Sequence, residues 1–517
     1  MALVQSVLEV LRSIGWSGAV EGSSFSRSAT DSENAAARRQ RMPILGFALP
    51  CSSATTVPFD RPVSLASRSR VRFWSRLRSW IRIAIAWPSS CSVSKGVGVS
   101  VIILTWPRAS LTVNIMTGVK LQPRFKLRNW PVRFETKAIH SGRAVDPSTG
   151  AVSLPLHTST TFERGADGSF PFGFEYTRDA NPTRNAFESA MAALEGGHEG
   201  IAFASGMAAI ASVFESHPST GRIVLPDDMY FGIRSLMDET DIGSRFDFAA
   251  VDMRNLDAVR DAVTSKRTGL VWVETPSNPM IRVVDISAIC KIAHDAGTLA
   301  VVDNTWATPV LQRPLELGAD AVMHSATKYI GGHSDLMAGI VVVPQSSPLG
   351  RPLRMVQKHK GSVAAPFDCW LALRGLQTLP VRMRAHCEGA QKVAEALASH
   401  PRVQKVLFPS LRDDPGYDLA TRQMSGYGAM LSFIVEGGVD AAMAVAGRLK
   451  LVVRATSLGG THSLIEHRAS VEGAKSKAPS GLLRMSVGLE HPQDIIDDLT
   501  QALSATSGGV VPKMNQA

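Results

Sequence analysis

Cysteine is scarce in this chain: five residues in 517, at Cys51, Cys91, Cys290, Cys369 and Cys387. None forms a C-x-x-C pair or a zinc-type spacing, so the sequence predicts neither a metal site nor a disulfide framework. Aromatic residues make up only 6%. No apolar run reaches the ~20 residues a membrane helix needs. The strongest, 98–104, is closed by Pro107. Acidic residues are nearly missing from the first 130 positions, which hold 5 Asp+Glu against 18 Lys+Arg, a net of +13. With the chain at +10 overall, the remainder carries −3. The basic character therefore belongs to one end and gives the main body no nucleic-acid surface. Neither a nucleic-acid nor a membrane partner is expected.

What is present is ordinary for a soluble globular protein: 44% hydrophobic and 19% charged residues. The length allows two or more domains with real cores. Residues 1–130 are rich in Ser and Arg, lack any sustained period, and read as a basic, disordered extension. Three origins stay open: translation from a start upstream of a true one near Met116, an organellar targeting or disordered extension, or a real added domain. The expected location is cytoplasmic, or organellar under the second origin. Residues 131–365 read as an N-terminal arm and an α/β domain. Short apolar runs (200–205, 222–226, 269–274, 298–304, 320–325, 337–343) alternate with helical segments such as 286–297, stopped by Gly297. That pattern predicts a mostly parallel sheet between helices, with ligands at the carboxyl ends of its strands. Residues 366–517 read as a smaller α+β domain, opened by a long helix from Asp368 to about His400 that Pro380 interrupts.

Chemistry gathers where the apolar runs end. Lys328 follows the run DAVMHS within SATKYIGGHSD. A lysine at the end of a buried strand loses charge by burial and becomes a nucleophile able to form a Schiff base. Ser325 and Thr327 beside it offer hydroxyls to a phosphate. Taken alone, Lys328 reads first as an exposed loop lysine. Asp303 ends the run LAVVD, where a carboxylate suits a protonated ring nitrogen; alone, it reads equally as the cap of the next turn. Gly206 and Met207 open an Ala-rich helix after the strand GIAFAS, and backbone N–H groups at a helix start favour an anion. Tyr230 follows the strand RIVLP, where it could stack on a planar ligand or simply pack.

Taken together, YTRDANPTRNAFE (176–188), ASGMAAI (204–210), ETPSNP (274–279), VDNTWATP (302–309), SATKYIGGHSD, TSLGGTHSLIEHRAS (456–470) and LLRMSVGLE (482–490) resemble the Cys/Met-metabolism (trans-sulfuration) family of pyridoxal-phosphate (PLP) enzymes. The resemblance spans about residues 134–505. It implies an aspartate-aminotransferase-like (fold-type-I) large domain with a smaller C-terminal domain, and PLP as cofactor. It implies that Lys328 carries the cofactor and moves protons, that Asp303 pairs with the pyridine nitrogen, and that Tyr230 stacks and assists proton transfer. Gly206, Met207, Ser325 and Thr327 fall where the family binds phosphate, and Asn278 near the ring hydroxyl. Tyr176 and Arg178 match a pair that reaches the neighbouring subunit's phosphate, which implies a homotetramer of two catalytic dimers. Arg484 matches the arginine that clamps the substrate α-carboxylate, with Ser457 and Thr456 beside it.

The reaction is less sharply written. In the gamma branches a glutamate commonly precedes SLGG; here that position is Thr456, and His462 replaces another glutamate. Trp306 in VDNTWATP resembles the beta-lyase branch, whereas SLGG and SLIEHRAS resemble the gamma branch and its relatives. The expectation is a carbon–sulfur lyase acting on cystathionine-like amino acids, beta in preference to gamma. Cystathionine gamma-synthase, gamma-lyase and O-acylhomoserine sulfhydrylase activities stay open, as does a fold-type-I aminotransferase.

Overall fold

The computed structural model describes residues 132–217, 221–473 and 476–505, and of the preceding region only the backbone of three strands. These are β1 (Gly46–Leu49), β2 (Gly98–Thr105) and β3 (Leu111–Gly118), paired antiparallel in the order β1-β2-β3 within a unit comprising Met1–Arg124. The expected disordered extension otherwise lies outside the described residues, as do Cys51 and Cys91.

The second unit, Phe125–Ala517, contains two sheets. The larger has seven strands: β4 (Glu199–Phe203), β5 (Arg222–Pro226), β6 (Phe248–Val251), β7 (Thr268–Glu274), β8 (Leu299–Asp303), β9 (Ala321–Ser325) and β10 (Gly339–Val343). Their order is β4-β10-β9-β8-β7-β5-β6. Only β10 runs against the rest, pairing antiparallel with both β4 and β9. The sheet is thus mostly parallel, as the alternating pattern predicts. Both faces are covered: along β7, Leu270 and Trp272 enter one apolar core with Val301 and Met323, while Val271 and Val273 enter another with Ala300 and Val302. Two-sided burial is why these strands read as unbroken apolar runs. Trp272 is wholly buried and meets Phe214 edge-on at 5.5 Å; truncating such a residue to Ala costs roughly 3–5 kcal/mol.

Caps written in the sequence set the helices. Asn181 accepts from the amides of Thr183 (2.9 Å) and Arg184 (3.3 Å), with Pro182 at the first helical position of Pro182–Glu195. Helix Ile286–Asp295 starts on the Asp285 cap and ends before Gly297 at φ +68°. The long segment after Asp368 divides into Pro366–Leu376 and Leu379–Ala398, with Pro380 in the first turn of the second helix, where it needs no intrahelical donor.

The smaller sheet has five strands, β11 (Val403–Leu407), β12 (Met430–Val435), β13 (Val453–Arg454), β14 (Leu464–His467) and β15 (Leu482–Ser486), in the order β11-β12-β15-β14-β13. All pairs are antiparallel except β13 with β14. Helices Leu379–Ala398 and Pro492–Ser504 share its apolar core. Among the described residues no helix is long and apolar enough to cross a membrane, and Cys290, Cys369 and Cys387 are free thiols.

Candidate active site

Six of the seven strands run the same way, so their carboxyl ends meet at one edge. Ser205–Met207 lie beyond β4, Tyr230 beyond β5, Glu274 ends β7, Asp303 ends β8, and Lys328 follows β9. In β7 and β8, Glu274 and Asp303 have the parity of Trp272 and Val301, so both face the same side of the sheet.

Lys328 sits in a turn closed by its own amide donating to Ser325 O at 3.1 Å. Its Nζ donates to Ser457 Oγ at 2.8 Å. Burial first, then the Arg484 charge, bring the amine down to about 8, with Glu466 opposing. A sizeable fraction is therefore an unprotonated nucleophile near neutral pH. Ser457 reaches this position from a left-handed backbone, φ +84°. Two residues on, Gly459 (φ +78°) packs flat on the lysine turn: a Cβ there would lie 2.6 Å from the Tyr329 amide nitrogen. The loop holding Ser457 is thus seated on the backbone that carries Lys328.

Asp303 is 9% exposed, and burial raises its pKa. Its Oδ1 accepts from the Thr305 amide at 3.0 Å, so the turn-capping reading also holds. Thr305 Oγ1 accepts from the Ser325 amide at 2.9 Å, tying the ends of β8 and β9 together. Ser205 caps helix Gly206–Ser216 by accepting from the Ala208 amide at 3.0 Å. Gly206 is required for close approach, because a Cβ would lie 2.9 Å from Ser325 Oγ. Helix start and Ser325 hydroxyl therefore share one small pocket suited to an anion. The Thr327 hydroxyl is engaged instead with the Ala338 backbone, accepting from its amide at 3.1 Å and donating to its carbonyl at 3.3 Å.

Tyr230 is 40% exposed. A Cβ on Gly232 would meet both its ring (2.4 Å) and Met207 Sδ (2.9 Å), so ring and thioether flank one hollow. The Tyr230 amide donates to Glu274 Oε2 at 2.8 Å. Tyr176 and Arg178 lie on the exposed arm, the guanidinium 5.4 Å from the Tyr176 ring centroid. Among the described residues neither bonds to Lys328 or Asp303 within the chain.

Arg484, on β15, is buried and brought down to about 10 chiefly by desolvation, so it stays charged. Its Nη1 donates to Asn278 Oδ1 at 3.0 Å and its Nη2 to the Ser457 carbonyl at 3.3 Å. The Trp306 ring centroid is 5.9 Å from the guanidinium carbon. Asn278 thus works on Arg484 in this structure. Thr456 is exposed beside this group.

Four residues escaped the sequence reading. Glu274 had a signal: it ends an all-apolar strand just as Asp303 does. The Thr305 hydroxyl and Glu466 had none, because their partners Ser325 and Arg484 lie on other strands; Arg468 pairs locally with Glu466 and Glu472 and takes its meaning only from where Glu466 sits.

Together the edge offers a depressed-pKa lysine, a buried carboxyl at the end of the neighbouring strand, a helix start that meets a serine hydroxyl, and a buried arginine. These suit a phosphorylated pyridine aldehyde such as PLP.

Residues 135–504 match the family described as Cys/Met metabolism PLP-dependent enzyme. The chain is 45% identical over 376 residues to cystathionine gamma-synthase of Mycobacterium tuberculosis, covering 71% of this chain and 96% of that one. It is 43% identical to cystathionine beta-lyase of Coxiella burnetii (71% and 97% covered) and 42% identical to cystathionine gamma-lyase of Dictyostelium discoideum (71% and 97% covered). The crystal structure of metB from Corynebacterium glutamicum superposes with a TM-score of 0.71 at 41% identity, covering 73% of this chain and 99% of that one.

Proposed function

The chain belongs to the Cys/Met-metabolism family of PLP-dependent enzymes, and from that premise we propose that it is a carbon–sulfur lyase acting on cystathionine-like amino acids, by β-elimination in preference to γ. One observation carries the reading. Ser457 joins the two ends of the reacting centre, its hydroxyl accepting from Lys328 and its carbonyl from Arg484. An amino acid whose carboxylate rested on Arg484 would bring its α-carbon toward the Lys328 amine, because Ser457 bonds to both.

PLP, when bound, supplies the electron sink for a carbanion at that carbon. Lys328 would carry the cofactor, and its amine, lowered by burial, would take the α-proton. Asp303 would pair with the pyridine nitrogen, and Tyr230 would stack on the ring and assist proton transfer. Gly206, Met207 and Ser325 would hold the phosphate, and Thr327 would donate to it in place of the Ala338 carbonyl. Thr456 and Ser457 line the substrate end. Tyr176 and Arg178, exposed on the arm, serve the cofactor of a second copy, in a homotetramer of two catalytic dimers. The cytoplasm is the proposed location, with residues 1–130 the segment that would redirect it. The β preference rests on two features: Thr456 offers no negative charge to a distal ammonium group, and Trp306 packs beneath Arg484.

The test is product analysis with purified enzyme and cystathionine. Homocysteine and pyruvate support the proposal. Cysteine and 2-oxobutyrate point to γ-elimination, and cystathionine made from O-succinylhomoserine and cysteine points to a synthase; either as the dominant reaction overturns it.

A further inference from the structure

Arg484 does not stand alone. The antiparallel register of β14 and β15 sets Glu466 directly opposite it. Glu466 Oε1 accepts from Arg484 Nη2 and, at 2.7 Å, from Arg468 Nη1. Arg468 then turns its Nε (3.1 Å) and Nη2 (2.7 Å) to Glu472 Oε1. The result is a buried chain of alternating charge, Arg484–Glu466–Arg468–Glu472, with all four side chains 7% exposed or less. A buried ion pair gains little stability over an apolar pair of the same shape, because desolvation offsets the attraction. Stability alone therefore does not account for the chain.

The hydrogen bonds of Arg484 suggest what it does. Asn278 holds Nη1, while Glu466 and the Ser457 carbonyl hold Nη2. Three acceptors on three elements fix the plane of the guanidinium. Its Nε has no partner among the described residues although it is buried. A buried donor left unpaired is costly, and an incoming carboxylate would satisfy it.

We propose that Glu466 is a positioning residue for substrate recognition: it locks Arg484 in the orientation that receives the α-carboxylate, while Arg468 keeps Glu466 in place. This rests on reading Arg484 as the carboxylate-binding arginine. Glu466 touches neither substrate nor cofactor in this scheme. Its effect is on affinity and on discrimination between amino acids and simple amines.

The experiment titrates PLP-loaded enzyme with glycine and, separately, with methylamine, following the cofactor absorbance, and measures KM and kcat with the physiological-type thioether substrate. Glu466→Gln is expected to weaken glycine about 10- to 100-fold, to leave methylamine unchanged, and to raise KM with little change in kcat or in the resting spectrum. Glu466→Asp, which keeps the charge but withdraws it by one methylene, is expected to shift glycine in the same direction by less; it decides the matter should the Gln variant not fold. Unchanged or tighter glycine binding in the variant that folds overturns the proposal. Arg484→Ala separates the two readings. If it leaves glycine binding intact, the assignment of Arg484 fails. If it abolishes that binding while the Glu466 variants do not alter it, only the positioning role fails.

Discussion

Glu274 lies directly opposite Asp303 on adjacent parallel strands, two buried carboxyl groups side by side on one face of the sheet. Burial raises the pKa of both, and the Asp303 charge raises that of Glu274 further. Two carboxylates so placed do not both ionise at neutral pH. Among the described residues Glu274 has no ion-pair partner, and it accepts only from the Tyr230 amide. Glu274 is pushed up further, by burial and by Asp303 together, and we infer that it holds the proton while Asp303 carries the charge.

Glu274→Gln should then retain the cofactor spectrum and activity, since an amide replaces a neutral acid. Glu274→Ala should lose about 1–3 kcal/mol of stability by unpairing the Tyr230 amide, and should weaken PLP binding. Urea unfolding and a PLP titration measure both. Equal damage from the two variants would show Glu274 acting as an anion.

The Lys328 amine, lowered to about 8 by burial and Arg484, should set the pH dependence of cofactor attachment. The amine is charged and inert below that value and free above it. The rate of PLP attachment to the cofactor-free protein should rise about tenfold per pH unit below 8 and level off above it. Stopped-flow absorbance follows this directly. Lys328→Ala should abolish the chromophore that borohydride fixes to the chain.

Gly459 and Gly150 make a matched pair. Both have positive φ, +78° and +74°, but only Gly459 faces backbone, while a Cβ on Gly150 meets nothing within 4 Å. Gly150→Ala should cost about 1 kcal/mol of backbone strain. Gly459→Ala adds a collision with the Lys328–Tyr329 backbone, which should bring the loss to roughly 2–4 kcal/mol and weaken PLP binding. Unfolding midpoints separate the two.

The proposed sharing of sites between copies predicts complementation. Lys328→Ala and Arg178→Ala should each be inactive. Refolded together in equal amounts, they should recover about a quarter of wild-type activity, because half the dimers are mixed and each holds one intact site. No recovery would place Arg178 in the site of its own chain.

Much of the cofactor edge was legible from the sequence. Asp303 and Lys328 each close or follow an apolar run, and a polar residue at such a place is local information: a parallel strand buried on both faces reads as a continuous apolar stretch and puts its last residue at the ligand edge. The helix opened at Gly206 and the stop at Gly297 were equally local. The Thr327 hydroxyl, which reads as a phosphate donor, is engaged with the Ala338 backbone, and Asn278, matched by resemblance to the ring hydroxyl, bonds to Arg484.

Tertiary structure alone decided the substrate end. Ser457 meets Lys328 across 129 positions, and Asn278 meets Arg484 across 206. Glu466 meets Arg484 through a cross-strand register, and a slip of one residue would turn that side chain to the other face. No composition or period encodes such a register. It is fixed by how the smaller sheet packs and by the left-handed turn at Ser457 that seats its loop on Lys328. The sequence by itself determined where a cofactor would be held; the packing of two distant segments determined how an amino acid would be held beside it.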